Sequence, residues 1–350
     1  DMSAALRAAS IWSKAEPNNL EAVAMRALAE IQLGQTDQGA ESLSQILAAT
    51  GEDERARLSI VQQMSRLLGQ NGLELINNVA QDNSHPEWTW LALAMSARQM
   101  GDMALSLGLL NKAIDKAPEY VRAPIVKAEI QAEWDGESAL DLLQQTRTMH
   151  PKDPQVAMAL GRAYYQLGLF EQAIPVLAEL AQQENEKEAQ YLLAVSYHMA
   201  GQWSKATPLL KQSITNQMNA GAAAWLCGQA HERLKQFKEA LACYRQINPE
   251  HTQIAAGAQA SSRLLLKQGK VDEALRELDS LIQTVDEKQL VALWLIKLET
   301  LLNADKNEQA KAELEKLPAA IRGHASIEAL ALTIQVHDDG PTLLTNMRAR

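Results

Sequence analysis

Apolar side chains return at intervals of three and four along most of this chain. The stretch PQVAMALGRAYYQLGLFEQAIPVLAELAQQ over residues 154–183 shows the pattern most clearly. Leu160, Tyr164 and Leu167 share one helical stripe, and Ile174, Leu177 and Leu180 share another. A stripe of that kind buries one face of a helix, so the spacing predicts two amphipathic helices. Gly168 lies between them, where its tolerance of positive φ ends the first helix and returns the chain. Gly201 and Gly269 are expected to do the same in later pairs. Pro17, Pro86, Pro118, Pro151 and Pro318 fall between pairs. There a missing N–H and a restricted preceding residue stop a helix from running on.

The pair recurs. Leu160-Gly161, Tyr164, Gly168, Phe170, Ala173 and Leu177 form a succession of large-small, aromatic, glycine, aromatic, alanine and large apolar positions. Leu193-Ala194, Tyr197, Gly201, Trp203, Ala206 and Leu210 repeat it about 33 residues on. Cys227-Gly228, His231, Lys235, Phe237, Ala240 and Tyr244 follow, and then Ser262, Leu265, Gly269, Val271, Ala274 and Leu278. Upstream matches run through Leu93-Ala94, Ala97, Gly101, Ala104, Leu110 and Ala113, and through Ala27, Gly34, Gly39, Leu43 and Ile46. Downstream, Trp294, Leu298, Leu301, Ala310, Leu314 and Leu317 continue the pattern with the glycine replaced.

This succession resembles the tetratricopeptide repeat (TPR) family, whose period is about 34 residues. The resemblance implies an all-α, right-handed superhelical solenoid of about ten helix-turn-helix repeats, each leaning on the next to cover its apolar stripe. Residues 1–84 read as N-terminal repeats: a lone helix from Met2 to Lys14, one regular pair and one divergent pair with a GQNG turn. Residues 85–350 read as the main superhelix. Within it, residues 120–151 keep a helix pair around Trp134-Asp135-Gly136 with the register shifted by one. The stretch from His324 to Arg350 carries no polar capping helix, so the array reads as truncated at its C-terminus.

Small residues are expected to set the distance between helices, with Gly161 facing Ala173. A larger side chain there overpacks the hairpin at a cost of about 1–3 kcal/mol. Pro175 and Pro208 occupy equivalent places and read as first-turn prolines, where the missing N–H costs little. A shared kink is the alternative.

With 47% hydrophobic residues the 350-residue chain has ample material for a core. A net charge of −10 argues against general affinity for nucleic acid, which needs clustered Lys and Arg. No apolar run is long enough to span a bilayer. The chain begins at Asp1 and not at Met, which predicts trimming and places any signal peptide or lipid-anchor Cys ahead of it.

Catalytic constellations are not evident. Seven histidines, His85, His150, His198, His231, His251, His324 and His337, are scattered. His231-Glu232 begins like a zinc-protease helix, but Lys235 stands where the second histidine is needed. Gly269-Lys270 lacks the rest of a phosphate loop, and the acidic run from Glu184 to Glu188 reads as solvated surface. Cys227 and Cys243 occupy core positions, where free Cys acts as a small hydrophobe; a disulfide, or a metal site with His231, is the alternative. The expectation is a non-enzymatic protein with no cofactor and no metal.

In tetratricopeptide arrays the first helix of each repeat lines a concave wall. The resemblance maps that wall to Trp88, Leu91, Met95, Met158, Arg162, Tyr165, Tyr191, Val195, His198, Trp225, Gln229, Arg233, Gln259, Arg263 and Lys267. Aromatic, Met and Arg side chains are enriched at protein-binding surfaces. Arg162, Arg233, Arg263 and Lys267 form a basic strip suited to a carboxylate or an acidic segment. The Lys/Asn set of co-chaperone carboxylate clamps is absent.

GQAHERLKQFKEALACYRQI followed by SSRLLLKQGKVDEAL is similar to long tetratricopeptide proteins of Gram-negative envelopes. That resemblance implies a lipid-anchored, periplasmic, outer-membrane-associated adaptor binding a carboxy-terminal processing protease and cell-wall hydrolases. A scaffold for polysaccharide secretion or outer-membrane assembly, or a cytoplasmic chaperone or regulator, is the alternative. Homo-oligomers are expected if terminal helices stay uncovered, with Leu6 and Trp12 the residues at stake.

Overall fold

The structure is a computed structural model, and it describes residues 1–182 and 186–334. Glu184, His337 and the rest of the expected last pair up to Arg350 lie outside the described residues. Every regular element among the described residues is a helix. The chain divides into two units at Leu167/Gly168.

Unit 1 holds α1 (Met2–Ala15), α2 (Leu20–Gln32), α3 (Thr36–Ala49), α4 (Glu54–Ala80), α5 (Pro86–Gln99), α6 (Met103–Lys116), α7 (Arg122–Gln131), α8 (Gly136–Met149) and α9 (Pro154–Gln166). Unit 2 holds α10 (Phe170–Leu180), α11 (Lys187–Met199), α12 (Trp203–Thr215), α13 (Ala220–Arg233), α14 (Phe237–Tyr244), α15 (Ile254–Lys267), α16 (Val271–Ile282), α17 (Glu287–Asn303), α18 (Asn307–Glu315) and α19 (Ala319–Arg322). A further helical run covers residues 325–334.

Within each unit successive helices pack on one another, and some helices two apart also touch: α2 with α4, α5 with α7 and α7 with α9 in unit 1, α11 with α13 and α15 with α17 in unit 2. Those contacts between first helices make each unit a stack of hairpins, the solenoid arrangement. The apolar stripes meet in shared cores. Leu43, Ile46, Leu91, Leu93 and Leu110 belong to one cluster in unit 1, and Leu210, Leu264 and Leu265 to one in unit 2.

Local chemistry places the helix ends. Asp102, Asp135, Asp153 and Asp286 are N-caps whose carboxylates accept backbone N–H bonds, as from Leu105 N at 3.0 Å to Asp102. Such caps satisfy donors that the first turn leaves open. Gly168, Gly201 and Gly269 each have φ of 72° at the hairpin turn, as the sequence predicts. Where glycine is replaced the turn conformation persists, with Lys235 at φ 59° and Asp305 at φ 57°.

Three expectations change. Pro175 and Pro208 are not first-turn prolines: α10 and α12 begin at Phe170 and Trp203, so each proline lies in the second turn, inside its helix. Near Pro208 the Thr207 hydroxyl donates to the Ser204 carbonyl at 3.5 Å. The GQNG turn shrinks to one residue. Gly69 (φ 65°, ψ −156°) breaks α4, and Gln70, Asn71 and Gly72 already belong to its second half. Cys227 and Cys243 are buried as expected but not free, because they form a disulfide between α13 and α14 with Cα atoms 5.8 Å apart.

Candidate protein-binding groove

The groove in unit 2 is built by first helices. α13 turns Ala223, Ala224, Cys227 and Ala230 into the core, which leaves Gln229, Glu232 and Arg233 on another side. Likewise α15 buries Ala258, Ser261, Leu264 and Leu265 and presents Arg263 and Lys267, four residues apart on one face. His198 reaches the same space from the last turn of α11. Together His198, Gln229, Glu232, Arg233, Arg263 and Lys267 line a cavity of about 490 Å³. A second cavity of about 460 Å³ shares Arg263 and Lys267 with the first and extends past Gln259 and Ser262 to Ile296, Glu299, Thr300 and Asn303 on α17.

Charge in this groove is partly spoken for. Arg263 Nη2 donates to both Glu232 oxygens, at 2.9 and 2.7 Å, while Tyr244 donates its hydroxyl to Glu232 Oε1 at 2.6 Å. Burial, then that bond to Glu232, pushes the Tyr244 phenol up. Arg233 lies with its guanidinium carbon 5.8 Å from the Trp203 ring centre, a cation–π geometry. Burial, then the charge of Arg233, holds His198 below the ordinary imidazole value.

Thus His198, Gln229, Arg233, Arg263 and Lys267, all expected on the wall, come together. Glu232 was not expected, although it stands three residues after Gln229 and therefore on the same helical face. Tyr191 and Trp225 are half-buried and pack against the unit 2 core, Trp225 with its ring tilted 5.4 Å from Tyr244. Val195 is buried.

Unit 1 places its expected wall residues differently. Leu91 is fully buried, so it belongs to the core and not to a surface. Trp88 is half-buried, stacked on His85 at 4.0 Å with Arg57 5.5 Å from its ring centre. Met95 is half-buried, its sulphur 3.5 Å from the Gln62 amide. Met158 and Tyr165 are half-buried, and Arg162 lines a cavity of about 180 Å³ with Glu129, Leu143 and Gln166.

Cys227, His231 and Cys243 present donor atoms within 4.8 Å of one another. His231 Nδ1 meets Gln236 Oε1 at 2.7 Å, and Nε2 has no partner. With the sulphurs bonded to each other, neither offers the thiolate that a soft metal ion requires.

Comparison with known families bears on the repeats themselves. The sequence profile of the tetratricopeptide repeat matches residues 131–195, within the hairpins of α8 to α11. That stretch is similar to tetratricopeptide repeats. A second profile, anaphase-promoting complex, cyclosome, subunit 3, matches residues 176–247 and includes α13 and α14, which carry part of the groove. No curated protein matches the chain. Among solved structures, MamA of Desulfovibrio magneticus is 17% identical over 47% of this chain and 93% of its own, with a TM-score of 0.41. A tetratricopeptide repeat protein of Parabacteroides merdae is 14% identical over 71% of this chain and 98% of its own, at 0.44. Yeast Tom70 is 14% identical over 100% of this chain and 89% of its own, at 0.38. Tetratricopeptide repeats are protein-binding modules, and the chain is similar to them over residues 131–195. No helix among the described residues is long and apolar enough to cross a membrane.

Proposed function

We propose that this chain is an adaptor of the Gram-negative envelope, periplasmic and associated with the outer membrane, which brings a carboxy-terminal processing protease to cell-wall hydrolases. The observation that carries the adaptor reading is the groove of unit 2. It crosses the first helices of successive repeats and offers arginine, lysine, glutamine and histidine side chains in one continuous trough. Such a surface suits an extended chain, which it meets with polar and charged side chains along its length. The resemblance of GQAHERLKQFKEALACYRQI to envelope adaptors supports the choice of compartment and partners.

Affinity capture from a Gram-negative envelope extract, with this chain immobilised, tests the proposal. Recovery of a carboxy-terminal processing protease together with a peptidoglycan hydrolase is the expected result. Recovery of neither overturns the envelope assignment.

A further inference from the structure

We infer that the unit 2 groove takes an extended acidic peptide segment, and that Glu232 is the intramolecular carboxylate such a segment displaces from Arg263. The inference rests on the groove being the partner site. Its starting point is a reversal of sign. The chain carries a net charge of −10, yet the first cavity is lined by Arg233, Arg263 and Lys267 against a single carboxylate, Glu232. A local surplus of cations in a concave trough concentrates and orients acidic ligands.

The three cations are not equivalent. Among the described residues, Arg233 and Lys267 have no carboxylate within ion-pair distance, and each is exposed. The Arg233 guanidinium lies over the Trp203 ring, 5.8 Å from its centre, which helps to position it beside the groove. Arg263 is already engaged, with one nitrogen to both oxygens of Glu232. Glu232 is itself fixed by the Tyr244 hydroxyl, so an internal acid stands where a ligand acid would bind. An incoming carboxylate therefore competes with Glu232, which lowers affinity for weakly acidic segments and favours those with several acids.

Geometry sets the ligand's form. Arg233 is on α13 and Lys267 on α15, the first helices of successive repeats. Arg263 of α15 reaches Glu232 of α13, so the two helices stand within side-chain reach, and a separation of about 10 Å is spanned by about three residues of extended or polyproline-like chain. The groove thus fits acidic side chains spaced three apart.

Fluorescence anisotropy at low salt with the whole chain and a peptide carrying Glu at every third position, beside its Gln isostere, is the test. The acidic peptide is expected to bind about tenfold more tightly than the isostere. Arg233→Gln and Lys267→Gln each weaken it about tenfold, and Glu232→Gln tightens it several-fold. Lys211→Gln, on exposed α12 surface, leaves it unchanged. Circular dichroism of each variant reports that the helices are intact. Equal binding of the two peptides overturns the inference, as does an equal effect of Lys211→Gln or any weakening by Glu232→Gln. A photo-crosslinker at Gln229 separates the two levels. Capture of a protein partner there, with no preference for acid, sinks the inference alone, whereas capture only at Lys211 sinks the groove as well.

Discussion

Trp88 in unit 1 and Trp203 in unit 2 each have a guanidinium beside the ring, Arg57 at 5.5 Å and Arg233 at 5.8 Å, yet the two cations serve opposite ends. Arg57 is fully buried. Its Nε donates to Thr50 Oγ1 at 2.8 Å and Nη2 to the Leu47 carbonyl at 2.6 Å, while Nη1 bonds the carbonyls of Ser84 and His85. It thereby joins the C-terminal end of α3, where carbonyls lack helical partners, to the segment that leads into α5. Burial pushes its pKa down, opposed by Glu87 and Glu52. Arg233 makes no comparable backbone bonds and faces the groove. The difference teaches that an Arg–Trp pair is a glue where orphan carbonyls surround it and a docking point where they do not.

Removing Arg57 should break the comparison most severely. Arg57→Met removes several hydrogen bonds from a charged donor, each worth about 1.5–3 kcal/mol, while the Leu47 carbonyl keeps the Thr50 hydroxyl and the His85 carbonyl keeps the Trp88 N–H, so a loss of about 4 kcal/mol in unit 1 is expected from urea unfolding followed by tryptophan fluorescence. Arg233→Met should shift stability by no more than about 0.5 kcal/mol. Equal losses would erase the distinction. Next in size is the Cys227–Cys243 bond, which only unit 2 has. Its sequence separation of 16 corresponds to about 3 kcal/mol, so melting with and without a dithiol reductant should show that drop, and Cys227→Ser with Cys243→Ser should remove the dependence.

Glycines sharpen the contrast at a smaller scale. A Cβ on Gly228 would overlap the Tyr244 ring, whereas one on Gly108 in α6 meets nothing within 4 Å. Gly228→Ala should cost about 2 kcal/mol by overpacking, and Gly108→Ala should stabilise unit 1 by about 0.5–1 kcal/mol. Thermal melts of both variants check the opposite signs. Smallest is an electrostatic effect: the charge of Arg233 helps to hold His198 low, so Arg233→Gln should raise the His198 pKa in an NMR titration. An unchanged titration would mean that burial acts alone.

The fold was largely legible because a hairpin too small to cover its own apolar stripe must repeat in a regular way. The glycine turns at Gly168, Gly201 and Gly269 illustrate it, and the positive φ of Lys235 and Asp305 shows that register, not residue type, fixes the turn. What escaped depends on contacts distant in sequence. Nothing in the local sequence marks Arg57 for burial; the carbonyls of Leu47 and Ser84 that hold it come from 10 and 27 residues away. Leu91 matches a wall position by spacing, yet the neighbouring helices of unit 1 cover it completely. Pro175 and Pro208 were misplaced because their helices start earlier than the proline implies. The Cys227–Cys243 bond needed the helix separation within one hairpin, which spacing alone does not give. In the groove, the tetratricopeptide resemblance pointed to Gln229, Arg233, Arg263 and Lys267, and missed the acid that partners Arg263.

The central claim is that partners sit against the first helices of unit 2. Photo-crosslinking amino acids placed singly at Gln229 and at Lys211, in the same envelope extract, test it most directly. The account predicts discrete protein adducts from Gln229 and none from Lys211; adducts confined to Lys211 would contradict it.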